Sequence, residues 1–189
     1  MKRLAVIIAA VALTAFTGVT TLWNNDDAHS ELGFTVKHLG ISDISGNFND
    51  FDAKISSSKD DFSDASFELT AKVASIDTRV EARDNHLKSA DFFDAEKYPT
   101  LTFKSTELKN AGKNKYKVNG ELTMHGVTRP VTLDLTYNGT IDNPMNKKKT
   151  AGFEVTGVIK RSDFNIGSKF PAAVVSDEVR IKADGEFVK

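Results

Sequence analysis

Along most of this 189-residue chain, apolar and polar residues alternate at a period of two, and the alternating runs are joined by short, turn-like links. That period gives an extended strand one apolar face. Links this short require antiparallel pairing, because a parallel crossover needs about a dozen residues or more. Leu32, Phe34 and Val36 form one such face, Phe51, Ala53 and Ile55 a second, and Phe67, Leu69, Ala71 and Val73 a third. Gly46 reads as a bend before the second run, and Lys59-Asp60-Asp61 as a solvated turn before the third. The period resumes at Leu101 and Phe103, then through Tyr116, Val118, Leu122 and Met124, and again at Val131, Leu133, Leu135 and Tyr137. Phe153, Val155 and Ile159 belong to a further strand, and Val179, Ile181 and Ala183 to the last. Turns are expected around Asn110–Asn114 and at His125-Gly126, with a charged loop over 142–149. The expectation is all-β: about eight antiparallel strands, long enough to favour a closed barrel over a sandwich. A barrel of about eight strands is either filled by side chains or holds one small ligand.

The alternation stops once, from Ser75 to Phe103. Thr78 followed by Glu81 matches a capping box, which predicts a helix beginning at Arg79 and a helical insertion over roughly 79–95. Val80, Asp84 and Leu87 share one face of that helix, with Arg83 at its edge, so charge interrupts the apolar stripe. Arg83 and Asp84 are then expected where the helix meets the barrel rim; an Asp84–Lys88 pair on a solvated face is the alternative. Phe92 and Phe93 point about 100° apart on a helical turn. Either both are core, or one packs on the wall while the other enters a cavity mouth.

Composition removes several classes of function. The chain opens Met-Lys-Arg, followed by apolar residues from Leu4 to about Phe16 and then small residues, which reads as a cleavable secretory leader over 1–21. The apolar run is shorter than the about 20 residues of a spanning helix, so an integral membrane protein is not expected. Residues 22–189 then form one domain. Without Lys2 and Arg3, the 25 basic residues fall by two against 26 acidic ones, a near-neutral balance that offers nothing to nucleic acid. Cys is absent, so no disulfide supports an exported fold and the core must hold it. Periplasmic residence follows from the leader, with release outside the cell as the alternative.

Candidate catalytic chemistry is sparse. His29, His38, His86 and His125 are far apart and lack the close pairing of a local zinc motif, so no metal is expected. There is no Cys nucleophile, serine elbow or phosphate-binding loop. His86 beside Asp84 is the one imaginable acid–base group, and it lacks an evident nucleophile. The inward positions instead supply apolar surface. Phe34, Val36, Phe51, Phe67, Leu69, Phe92, Phe93, Phe103, Leu122, Leu133 and Phe153 are the candidate lining of a cavity, with Asp77, Arg83, Asp84 and His86 at its mouth or anchoring the helix. Each methylene buried there contributes about 0.8 kcal/mol, so a long hydrocarbon needs only an apolar tunnel.

Several local motifs run in order through the chain: Trp23, Asp27-Ala28-His29-Ser30, His38, Gly46-Asn47-Phe48, Ser75-Ile76-Asp77-Thr78 and Arg83-Asp84-Asn85-His86-Leu87. They continue as Asp91-Phe92-Phe93-Asp94, Tyr98-Pro99, Phe103-Lys104-Ser105-Thr106, Gly120 to Thr128, Arg161-Ser162-Asp163-Phe164 and Asp177-Glu178-Val179. In these the chain resembles the YceI-like family, exported bacterial proteins with a lipocalin-like barrel that bind polyisoprenoid lipids. Met124 departs from the Ile or Val commoner there. The resemblance implies an antiparallel eight-stranded lipocalin-like barrel, a buried tunnel for an isoprenoid or quinone-like lipid, often a homodimer, and no catalytic cofactor. A periplasmic, non-catalytic lipid carrier is the function expected. The rivals are an enzyme acting on a lipid headgroup through His86 and Asp84, and a dry-cored structural or stress-related protein.

Overall fold

The computed structural model describes residues 19–189. The leader expected over 1–21 lies almost wholly outside them, although Thr21 is already in register with Ser57. Ten strands follow: β1 (Thr21–His38), β2 (Ser42–Phe48), β3 (Phe51–Ser57), β4 (Ser66–Lys72), β5 (Ile76–Asp77), β6 (Thr100–Gly112), β7 (Lys115–Met124), β8 (Val127–Asp142), β9 (Lys149–Lys160) and β10 (Val175–Val188), with one helix, α1 (Glu81–Lys88). All pairings are antiparallel, and β10 pairs back onto β1 to close the sheet. β2 and β3 lie end to end along one edge of β1, and β5 and β4 continue beside them, so the circuit is an eight-stranded barrel.

The second strand expected from Phe48 to Ile55 is two strands, broken at Asn49-Asp50, and Gly46 sits inside β2 rather than at a bend. A Cβ at Gly46 would lie 2.6 Å from both the Phe34 ring and the Thr78 methyl. The residue is glycine because a ring and a loop are packed against the strand there.

Two breaks in pairing define β1. Between Asn25 and Ser30 its register with β10 shifts, and the extra residues form a bulge. The bulge closes on itself: Asn25 Nδ2 donates to Asp27 (2.7 Å), and the Ala28 N–H donates to Asp26 (3.0 Å). On the opposite edge, ladder pairs run to Asn24↔Lys54 and resume only at Gly33↔Asn47. The Ala53 N–H donates across this seam to the Asn25 side-chain oxygen at 2.8 Å.

One end of the barrel is plugged. Phe62, in the loop after β3, is 2% exposed, with its ring centroid 5.2 Å from Trp23, 5.1 Å from Tyr137 and 5.0 Å from Phe153. Burial alone would raise the Asp64 carboxyl, but hydrogen bonds from Ser57 and Ser58 override it and hold the group at about 2, fixing the plug loop. The other end is covered by α1, the turns over 89–98 and the segment after β9, where Phe48, Phe92, Leu101, Leu122, Phe164 and Ile166 pack together.

Candidate functional site

Between the plug and the helix lies a cavity of about 460 Å³, bordered almost wholly by apolar side chains. Small-molecule sites typically measure about 300–1,000 Å³. All eleven candidate lining residues border it: Phe34, Val36, Phe51, Phe67, Leu69, Phe92, Phe93, Phe103, Leu122, Leu133 and Phe153. Strand period accounts for nine of them, because alternate residues of a closed sheet face its interior. Phe92 and Phe93 reach it from the covering segment. Phe92 stacks on Phe170 (4.8 Å, 20°) and Phe93 meets the Phe48 ring edge-on (5.9 Å, 87°), so the pair splits between two walls.

The four rim candidates separate. Arg83 and His86 border the cavity; Asp77 and Asp84 do not. The helix begins later than the capping pattern predicts: Val80 is its N-cap and no side chain caps it. Arg79 has φ +66°, which swings Thr78 out of capping position, and the Asp77 carboxylate takes the Arg79 N–H at 2.7 Å. Thr78 instead gives both its N–H (2.8 Å) and its hydroxyl to Asp84, and Arg83 donates Nε to the Thr78 hydroxyl and Nη2 to its carbonyl, each at 2.7 Å. The expected stripe is thus inverted. Asp84 is 9% exposed beneath the helix, while Val80 is 46% exposed. Among the described residues Asp84 makes no ion pair with Lys88; the helix ends at Lys88, and turns follow over 89–98.

His86 and Asp84 do not form an acid–base couple: Asp84 faces Thr78, whereas the exposed His86 has Nε2 3.5 Å from Asp91 and packs edge-on against Phe92 and Phe170. Among the described residues, Asp26, His29 and Glu186 converge at the β1 bulge, with ligand atoms within 4.8 Å of one another. None of the three borders the cavity, and His29 Nδ1 is paired with Asp26 at 3.1 Å.

Arg161, which opens the Arg161-Ser162-Asp163-Phe164 motif, lies outside the site expected from the sequence. It is 7% exposed and borders the cavity, and its guanidinium donates to the carbonyls of Ile166, Gly167, Phe170, Val175 and Ser176. Five donors meet five carbonyls, so the cation organises the loop before β10 and keeps no donor for a ligand. The sequence signal available was an arginine closing an apolar strand, which does not reveal its partners.

The fold and site define a class: closed antiparallel barrels, lipocalin-like in form, with an apolar chamber under a short helix. A description of the YceI-like domain matches residues 23–187. The chain is 39% identical over 166 residues to a UPF0312 protein of Staphylococcus aureus strain N315, covering 86% of this chain and 94% of that one. A UPF0312 protein of Pectobacterium carotovorum is 35% identical, covering 98% and 97%. The chain belongs to the YceI-like family. Among solved structures, Burkholderia cenocepacia BcnA superposes with a TM-score of 0.76 at 32% identity, covering 86% of this chain and 98% of its own. The Campylobacter jejuni YCEI protein gives 0.73 at 35%, covering 81% and 89%. A polyisoprenoid binding domain from Saccharophagus degradans shares the fold, with a TM-score of 0.66 at 16% identity over 88% and 97%.

Proposed function

We propose that this protein is an exported, periplasmic carrier that holds a long-chain isoprenoid or quinone-like lipid in its barrel and catalyses no reaction on it. The observation that carries the reading is the cavity of about 460 Å³, whose walls are aromatic and aliphatic and whose bordering arginines are already bonded to protein atoms. Phe34, Phe51, Phe67, Leu69, Phe103, Leu122, Leu133 and Phe153 hold the hydrocarbon, and Phe92 and Phe93 close over it from the helix side. Arg83 and His86 stand at the cavity edge, where Arg83 anchors the helix through Thr78. The separation of His86 from Asp84 supports binding over headgroup chemistry. The name of the Saccharophagus degradans neighbour, a polyisoprenoid binding domain, favours the same ligand class.

Mass spectrometry of a solvent extract from gently purified protein tests the reading. A prenyl lipid at one equivalent per chain is the expected result. Repeated lipid-free preparations that also refuse added isoprenoid would leave a dry-cored barrel and overturn it.

A further inference from the structure

The β1–β2 hairpin ends in an unusual tip. Leu39 and Gly40 both have positive φ (52° and 70°), and the Ile41 N–H returns to the His38 carbonyl at 3.1 Å. Primed turns of this kind favour Asn, Asp or Gly at the first central position, because a left-handed backbone crowds a larger side chain. Leu39 occupies that position and is 53% exposed, and Ile41 beside it is 84% exposed. The tip is therefore strained at Leu39, and Ile41 beside it is almost wholly uncovered by the rest of the molecule.

Its position gives the reason. The Leu39 N–H donates to the Val174 carbonyl at 2.9 Å, tying the tip to the turn before β10. Val174, 36% exposed, also borders the cavity, as do His38, Ile44 and Val175. The exposed aliphatic side chains of the tip thus stand next to residues that border the apolar chamber. Beside the tip Lys37 and Arg180 are paired with the Asp43 carboxylate at 3.0 and 2.8 Å, a charged flank to the apolar tip.

We propose that Leu39, Ile41 and Val174 form a membrane-contacting rim, which dips into a lipid surface so that hydrocarbon passes between bilayer and cavity without crossing water. The inference rests on the lipid-carrier reading above. Aliphatic side chains that enter the headgroup boundary beside the opening of an apolar chamber are what a shallow interfacial contact requires.

The test uses dansyl-labelled geranylgeraniol offered two ways: from a cyclodextrin complex, and from phosphatidylcholine vesicles containing phosphatidylglycerol. The variant is Leu39→Asn with Ile41→Ser. Asn suits the turn and neither residue borders the cavity, so folding and affinity are retained. Wild type should load from both donors. The variant should load from cyclodextrin with unchanged affinity, while its uptake from vesicles slows about tenfold. Equal vesicle uptake by both proteins overturns the rim. So does a wild-type dimer that the variant splits, because the patch then meets a second copy. Failure of both proteins to load from cyclodextrin instead overturns the carrier reading on which the rim depends.

Discussion

Arg161 is the residue on which the cavity's covering loop depends. Its five donors hold five carbonyls between Ile166 and Ser176, and lysine, with three donors and no planar fork, cannot replace it. Arg161→Lys should lower stability by at least about 2 kcal/mol in urea unfolding, because buried carbonyls lose their partners. A second prediction concerns the β1 bulge. The hydrogen bond that His29 donates to Asp26, with the nearby charges of Asp26 and Glu186, raises His29 above its ordinary 6.5. The raised value stabilises the fold below the unfolded-state value, and the contribution disappears as pH rises through the folded-state value. A proton NMR titration should place the His29 midpoint above 6.5, and Asp26→Asn should bring it back towards that value. The oddity of Arg83 and Asp84 was legible in the sequence, since both break an apolar stripe. Thr78 was misread, because a capping box assumes that the helix starts directly after it, and the left-handed Arg79 moves the start.

At the scale of elements, the strands were legible and their ends were not. Leu32, Phe34 and Val36 announce β1, yet the strand reaches back to Thr21 through Asn-Asn-Asp-Asp-Ala-His, a bulged stretch with no alternation to read. The plug was hidden for a similar reason. Phe62 follows Lys59-Asp60-Asp61, whose charge announces solvent, and the ring turns inward only because a left-handed backbone at Phe62 and the bonds to Asp64 reverse the loop. Once inside, Phe62 meets Trp23, Tyr137 and Phe153. Phe62→Ala should cost about 3–5 kcal/mol, read as a lower urea midpoint at unchanged slope. A changed slope at an unchanged midpoint would mean that the plug acts on the compactness of the denatured chain rather than on the barrel floor.

For the whole molecule, closure of β10 onto β1 is what turns eight apolar faces into one enclosed chamber. Antiparallel order and inward faces could be read from period and link length. The chamber itself could not, because whether inward rings meet or leave a gap depends on plug, helix and strand tilt together. A ligand that enters only the folded barrel stabilises it by mass action. Geranylgeraniol at about a hundredfold over its Kd should add about 2.7 kcal/mol, or about 5–10 °C in Tm, in differential scanning fluorimetry. No rise at saturation would mean that the prenol does not bind the folded chain in preference to the unfolded one.

The interrupted ladder between β1 and the β2–β3 run has a mechanical consequence. Most barrels resist a change of girth because widening them anywhere breaks hydrogen bonds. Here residues 25–32 of β1 face residues 48–53 without ladder pairs, and the Asn25–Ala53 bond is the tie across them. The wall can therefore yield along that line at little enthalpic cost, much as a pleat lets fabric expand. On the carrier reading proposed above, about 460 Å³ is then the chamber at rest, and lipids of more than one chain length can share it.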